Sequence, residues 1–496
     1  MDVCRIESGG RGQGGEGAAL DGLLTGTALE VLRKRFPDSP DPAAEWRPGR
    51  PAWRSLLPEL EVLDEELSSL RRRGGKVVLY GHDDADGITG IYAGRAMLAR
   101  LGFRVVPIIP DRASEDYGLL PSRMDGLLES GDLLLTVDSG CSAVEGVEWA
   151  LARGARVVIT DHHTLNPPLP RAHGLIDPQA IGFPGTVLAG CGVLYAALAE
   201  LFPSIADCPR LYTAVALGTV SDRVPLLAAN RYLLERFRNV EAGDLPAGMR
   251  VIVDAWPNRK GAWCACNVRQ QITSVIGKGL NSGIGRLLEM LESDDAAWCA
   301  STWQEMVASS DSRSQQMSDV LSRAMNEKDP EADAFGMVIV HLPGIPPGMG
   351  GTLASKLSRI FRRGTIVVTT RDNGTIVGEA RSLGDWDMAS FLTGMKNVFR
   401  SAGGHARAAG FNTDRMGWPE LRRNLIARLS TVRSKPVPEP HVDLEPASLP
   451  QAQELSCLAP FGPDFPPPAV KVGGMRYMMQ LGQNGPCWCI TEDSGE

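Results

Sequence analysis

The sequence predicts an α/β protein built from a parallel-sheet domain, a helical connector, a smaller α/β domain and a short C-terminal segment. Three observations carry this. From Lys76 onward, short apolar runs alternate with amphipathic stretches of helix length; three of those runs end in acids or histidines; and a second, shorter series of the same kind begins near residue 331, after a polar helical stretch. Strands that alternate with helix-length segments form βαβ units, which set parallel strands side by side beneath helices.

Residues 1–54 read as a tail and lead-in without assigned function, the first twenty being glycine-rich and expected to be mobile. Residues 55–239 hold the first series: KVVLYG, a helix-like GITGIYAGRAMLARLG, FRVVPII, DLLLTVD, a helical AVEGVEWALARG and ARVVITD. Runs rich in valine, isoleucine and leucine between turn residues are the mark of buried parallel strands. Residues 240–330 are mainly polar and helical, with GKGLNSGIGRL as an interruption, and read as the connector. Residues 331–432 run from GMVIVH through a helix at GTLASKLSRIFRRG and strands at TIVVTT and GTIVGEA to GGHARAAGF. Residues 433–496 open on the Pro-rich KPVPEPHVDLEP and include LAPFGPDFPPPAV. No repeat of solenoid period is present.

A chain of 496 residues with 43% hydrophobic and 22% charged residues has enough apolar material for two or more cores and is neither disordered nor fibrous. The N-terminus lacks a signal-like apolar stretch, and no segment has the apolar length of a membrane span, so a cytoplasmic location is expected, with no membrane partner. The ten cysteines include two close pairs, Cys264 with Cys266 and Cys487 with Cys489, neither at CxxC spacing. Free thiols and no structural disulfide are expected. A net charge of -8 argues against indiscriminate backbone binding to nucleic acid, although carboxylates that hold metal ions become a locally positive site once loaded.

In open α/β sheets the loops at the carboxyl ends of strands form the working crevice. Here KVVLYG is followed by HDDADG, DLLLTV by DSG, and RVVIT by DHH. An aspartate after a strand is commonly a helix cap, but capping does not explain acids and imidazoles at three successive strand ends. Asp84, Asp86, Asp138, His162 and Asp222 of GTVSD form a mixed Asp/His set, with His82 a further candidate. Carboxylate and imidazole without thiolate suit manganese or magnesium rather than zinc or an iron–sulfur cluster. Two such ions roughly 3.5 to 4 Å apart would share a carboxylate and stabilise both oxygens of an in-line phosphoryl displacement. On this reading Asp138 is the bridging ligand, Asp84, Asp86, His162 and Asp222 are terminal ligands, and His163 contacts the phosphate or protonates the leaving oxygen. Asp161, the first residue of the triplet, stands with His163 and Asp138 in the catalytic set.

GHDDADG, VDSG, TDHH and GTVSD, in that order and spacing, resemble the first four motifs of the DHH phosphoesterase superfamily, and most closely its RecJ-like branch. PDRASEDYGL is similar to the substrate-contacting loop of that family, GLNSGIGRL with LESDDA to its connector, and GGHARAAGF to the signature of the DHH-associated domain. The resemblance implies a DHH catalytic domain over 55–239 and a DHH-associated, substrate-binding domain over 331–432. LAPFGPDFPPPAV resembles the entry into an oligonucleotide-binding (OB) barrel, so 433–496 reads as a linker and an incomplete OB-like segment. The resemblance further implies substrate contacts from Arg112, Tyr117, Asn281, Arg286, Arg381, Gly403, Gly404 and His405. Lys356, Arg359, Arg362 and Arg363 either track a nucleic-acid backbone or form a solvated helix face.

The implied activity is 5'-to-3' exonucleolytic hydrolysis of single-stranded DNA to nucleoside 5'-monophosphates with two divalent cations, manganese first and magnesium second. The implied partners are single-stranded nucleic acid, DNA before RNA, and DNA repair proteins. Two rivals stay open: a DHH phosphodiesterase for oligoribonucleotides or cyclic dinucleotides, and an inactive DHH scaffold in replication or repair.

Overall fold

The computed structural model describes residues 26–46, 49–110, 118–279, 285–346, 348–371, 373–395, 397–435, 441–482 and 485–491. The glycine-rich first twenty residues lie outside this set. The chain divides into two compact units, Met1–Val307 with Val442–Glu496, and Ala308–His441.

The first unit is built on the expected parallel sheet. Its strands are β1 (Val77–Gly81), β2 (Val105–Ile108), β3 (Leu133–Val137), β4 (Arg156–Thr160) and β5 (Gly174–Ile176), in the order β2-β1-β3-β4-β5. All neighbours are parallel. Alternate residues serve opposite faces. Val77, Leu79, Leu133, Leu135 and Val158 pack against the helices Leu60–Arg73, Ala85–Arg100 and Gly190–Leu201. Val78, Tyr80, Leu134, Val157 and Ile159 pack against the helix Val144–Ala152 and Met124. Burial on both faces explains why β1 and β3 read as unbroken apolar runs. The three-residue strand β5 has too little apolar sequence to stand out, and its register beside β4 makes it visible.

The second unit carries β6 (Met337–His341), β7 (Gly364–Thr370), β8 (Ile376–Arg381), β9 (Ser401–His405) and β10 (Ala408–Thr413), in the order β6-β7-β8-β10-β9. Only β6 and β7 are parallel. The helix Gly350–Phe361 covers one face through Leu353 and Leu357, and the helix Trp418–Leu429 covers the other through Leu421 and Leu425.

The C-terminal segment adds an antiparallel sheet of β11 (Ala469–Val472), β12 (Met475–Gly482) and β13 (Gly485–Thr491) to the first unit. It shares a core with the lead-in: Ala28, Val31, Leu32 and Trp46 meet Leu455, Leu458, Phe461 and Phe465. Arg231, fully buried, donates to the carbonyls of Leu226, Leu458, Ala459 and Pro460 at 2.8 to 3.2 Å. Arg35 forks onto Asp443 at 2.6 and 2.8 Å.

One expectation is overturned. Cys264 and Cys266 are disulfide-bonded, with Cα atoms 5.2 Å apart. Cys264 is extended at the N-cap of the short helix Ala265–Val268, and the turn into that helix brings the two sulfurs together across one residue. No helix among the described residues is long and apolar enough to cross a membrane.

Candidate metal and catalytic centre

The carboxyl ends of β1, β3 and β4 lie side by side because the strands pair in parallel and in register, Gly81 with Val137 and Val137 with Thr160. The residues after each strand therefore share one edge. Asp84 is a true N-cap: its Oδ1 accepts from Asp86 N and Gly87 N at 3.1 and 3.0 Å. Its other oxygen, Oδ2, lies 3.0 Å from His82 Nδ1, so capping and clustering are properties of opposite sides of one carboxylate. Asp86, 1% exposed, accepts from Gly190 N at 2.8 Å and Cys191 N at 3.0 Å, at the N-terminus of the helix Gly190–Leu201. Asp138 follows β3 with a left-handed φ of 56°, which turns its side chain into the edge while its N–H still donates to Thr160 O. Asp222 is the last residue of the helix Pro209–Asp222.

Asp138 is the centre of the set. Its Oδ1 lies 3.1 Å from His162 Nε2 and 3.8 Å from His163 Nδ1, whereas its Oδ2 faces His82 Nδ1 at 3.8 Å. His162 Nε2 is also 3.6 Å from Asp222 Oδ2 and 3.9 Å from Asp86 Oδ2. Three groups of ligand atoms result, each within 4.8 Å: Asp138, His162 and His163; His82, Asp84 and Asp138; Asp86, His162 and Asp222.

This donor set fits divalent cations. Asp138 Oδ1 and His162 Nε2 are buried and, although 3.1 Å apart, are not aligned for a hydrogen bond with each other or with another described group, whereas buried polar atoms are normally satisfied. Burial, and then the neighbouring carboxylates Asp86 and Asp84, push the Asp138 carboxyl well above its ordinary range. Burial and Asp86 raise Asp222 to about 6. Burial opposes a charge on His162, but Asp86, Asp222 and Asp161 outweigh it and raise the imidazole. Acids crowded without enough positive charge are what a bound cation neutralises. Backbone space is provided too. A Cβ at Gly190 would come within 2.5 Å of Asp138 Oδ1, and one at Gly218 within 2.7 Å of Asp86 Oδ1.

Asp161 is turned differently. Its Oδ1 accepts from His162 N, His163 N and the His163 Nδ1–H at 2.8, 3.3 and 2.8 Å, and its Oδ2 from Cys141 N at 2.9 Å. Burial alone would raise this carboxyl, but the His163 and Cys141 contacts outweigh it and hold it far below its ordinary range. The same hydrogen bond lifts His163 to about 9, and its side chain is 44% exposed.

The structure brings together His82, Asp84, Asp86, Asp138, His162, His163 and Asp222. Arg112, Tyr117 and Asn281 lie outside the described residues. Arg286, half-buried, pairs with Glu305 at 2.9 Å. Arg381 ends β8 in the second unit, where it meets Glu379 at 3.3 Å and donates to Ala380 O at 2.8 Å. Gly403 and Gly404 are exposed in β9, Gly404 at a φ of 132°, and the backbone of His405 ends that strand. Sequence reasoning missed Gly190, Cys191, Asp177 and Gln179. The available signals were the AGCG at a helix start and the Asp-Pro pair that caps the short helical turn after β5.

A parallel sheet with a DHH triplet at one strand end and an Asp/His cluster at its edge defines a protein of the DHH class. The chain matches the model of the DHH family, N-terminal domain, over residues 76–219, and that of the DHHA1 domain over 335–432. It is 30% identical to the single-stranded-DNA-specific exonuclease RecJ of Dickeya dadantii, over 73% of this chain and 67% of that protein. It belongs to the RecJ family. The RecJ of Bacillus subtilis is 28% identical over 80% of this chain, which spans 52% of that relative's length. Among solved structures, RecJ of Thermus thermophilus in complex with Mn2+ has a TM-score of 0.74 at 24% identity, over 97% of this chain and 72% of that one. An exonuclease RecJ bound to manganese has a TM-score of 0.63 at 28% identity, over 75% and 94%.

Proposed function

We propose that this chain is a divalent-cation-dependent exonuclease that degrades single-stranded DNA from the 5' end to nucleoside 5'-monophosphates, in the cytoplasm and alongside DNA repair proteins. The observation that carries the reading is Asp138: a buried carboxylate whose two oxygens face two different groups of Asp and His. The names of the relatives, single-stranded-DNA-specific exonucleases, supply the substrate class.

Two divalent cations, manganese before magnesium, would supply charge stabilisation to the attacking and leaving oxygens of an in-line displacement. Asp138 would serve both ions. His82 and Asp84 would hold one from their side, and Asp86, His162 and Asp222 the other. Gly190 N–H and Cys191 N–H keep Asp86 from rotating away, so its oxygens stay aimed at the cluster. His163, its Nδ1–H donated to Asp161 and its side chain 44% exposed, would donate from Nε2–H to a phosphate or leaving oxygen. Asp161 is thus the residue that orients His163. Arg112, Tyr117, Asn281 and Arg286 of the catalytic domain and connector, and Arg381, Gly403, Gly404 and His405 of the substrate-binding domain, are proposed to contact the strand. The domain limits 55–239, 240–330, 331–432 and 433–496, after a lead-in over 1–54, belong to the same proposal.

The test is digestion of 5'-labelled and 3'-labelled single-stranded DNA and RNA with manganese, with and without prior chelation. Mononucleotides released first from the 5' label on DNA support the reading. Undiminished hydrolysis after exhaustive chelation, or no hydrolysis of any strand with manganese present, would sink it.

A further inference from the structure

We infer that Gln179 is a positioning residue for the catalytic turn Asp161–His163, an inference that rests on the metal-dependent hydrolysis proposed above. The turn has two sets of backbone groups to satisfy as it leaves β4. Asp161 takes the N–H side, accepting from His162 N and His163 N. The C=O side falls to Gln179, whose Nε2 donates to His162 O at 3.0 Å and His163 O at 2.6 Å. An amide nitrogen carries two hydrogens, one for each carbonyl, and two carbonyls can face only a donor, so the side-chain orientation is chemically determined. Both histidines are therefore held from opposite sides by side chains from different segments.

Gln179 is itself anchored. β5 runs parallel beside β4, Thr160 pairs with Ile176, and Asp161 N donates to Ile176 O at 3.2 Å. The next residue, Asp177, is fully buried and its Oδ1 accepts from Gln179 N at 2.8 Å, capping the short helical turn Pro178–Ile181. The sheet register thus carries Asp177, and through it Gln179, to a fixed place beside the triplet. His162 Nε2 must meet Asp138, and His163 must keep its Nδ1–H on Asp161. Both depend on the orientation of the peptide planes that Gln179 clasps. Loss of partners that orient such ligands typically costs about 10- to 100-fold in metal affinity or activity.

The decisive variant is Gln179→Glu, which keeps the shape and replaces the donor by an acceptor. Gln179→Ala removes both. Expected for Gln179→Glu is a fall in kcat of about 10- to 100-fold at nearly unchanged KM, with weakened manganese binding by calorimetry, and for Gln179→Ala an equal or smaller loss. Circular dichroism confirms the fold; if Gln179→Glu does not fold, Gln179→Met, of similar length and without donors, takes its place and carries the same expectation. The inference is overturned if both kcat and manganese affinity match those of the parent chain, or if the whole loss lies in KM, which would make Gln179 a substrate contact. Should the parent chain hydrolyse no strand, the proposed function fails, while the manganese titrations of parent and Gln179→Glu still decide the clasp: equal affinities overturn it and weaker binding supports it.

Discussion

Gly190→Ala separates positioning from folding. The new methyl would sit 2.5 Å from Asp138 Oδ1 and 2.7 Å from Asp138 Cα, both well inside the roughly 3.5 Å of an ordinary contact, so Asp138 or the start of the helix Gly190–Leu201 must move by about 1 Å. Overpacking of this kind costs about 1–3 kcal/mol, and the better helix propensity of alanine returns at most about 1 kcal/mol, leaving a net loss of about 0–3 kcal/mol in stability. A misplacement of about 1 Å at a catalytic group costs about 100-fold in rate, or about 2.7 kcal/mol of barrier. A native state typically about 5–15 kcal/mol deep stays populated through such a loss, so activity should fall while the variant remains folded. The assay is single-turnover hydrolysis of single-stranded DNA with manganese, paired with thermal melting. Gly192→Ala, two residues along the same helix, is the control. Its nearest neighbour would be the flexible Leu188 Cδ2 at 3.3 Å, and the rate should be unchanged. A folded Gly190→Ala variant within about threefold of the parent rate would refute the argument that this glycine makes room for Asp138.

Asp138→Ala should fold and lose about a thousandfold in hydrolysis, because the carboxylate serves both proposed ions and such charge stabilisation is worth several kcal/mol; a folded variant retaining a tenth of the rate removes the two-ion assignment. Asp132 probes pH dependence far from the centre. Burial pushes its carboxyl up, but the Lys76 ammonium at 2.7 Å and the N–H groups of Lys76 and Glu129 outweigh this and hold it below its ordinary range. A depressed carboxyl contributes stability above its unfolded pKa of about 3.9 that is lost as pH falls through the folded value, so Asp132→Asn should lower Tm by a few degrees at neutral pH and progressively less below about pH 4. An equal Tm difference at every pH contradicts that linkage. Arg231→Met leaves the carbonyls of Leu226, Ala459 and Pro460 without their guanidinium donor, at about 1–3 kcal/mol each, while Leu458 O keeps the Trp46 Nε1–H, and should expose residues 443–482 to limited proteolysis; unchanged melting and an unchanged digestion pattern would show that the buried arginine does not hold the segment.

Much of the centre could be read from the sequence because its signals are local. Buried parallel strands leave unbroken apolar runs, and the residues after KVVLYG, DLLLTV and RVVIT are set at one edge by the geometry of any parallel sheet. The acids and histidines of the cluster follow from that rule with residue types that suit hard divalent ions. What a motif does not carry is the direction of each side chain. Asp161 and Asp138 both follow strands, yet Asp138 alone takes a left-handed φ and turns into the cluster, while Asp161 turns back to hold His163.

The tertiary structure decided everything that joins distant segments. Asp86 is held by N–H groups 104 and 105 residues away, at a helix start whose glycine looked like any other. Gln179 reaches the triplet only because β5, too short to be noticed, lies beside β4. The lead-in and the C-terminal segment share one core, and Arg231 meets Leu458, Ala459 and Pro460 across more than 225 residues. Cys264 and Cys266 pair because of a turn that their spacing did not announce. Periodicity and composition record how a segment meets the sheet it belongs to. Contacts between segments far apart in the chain leave no local period, and only the packed structure shows them.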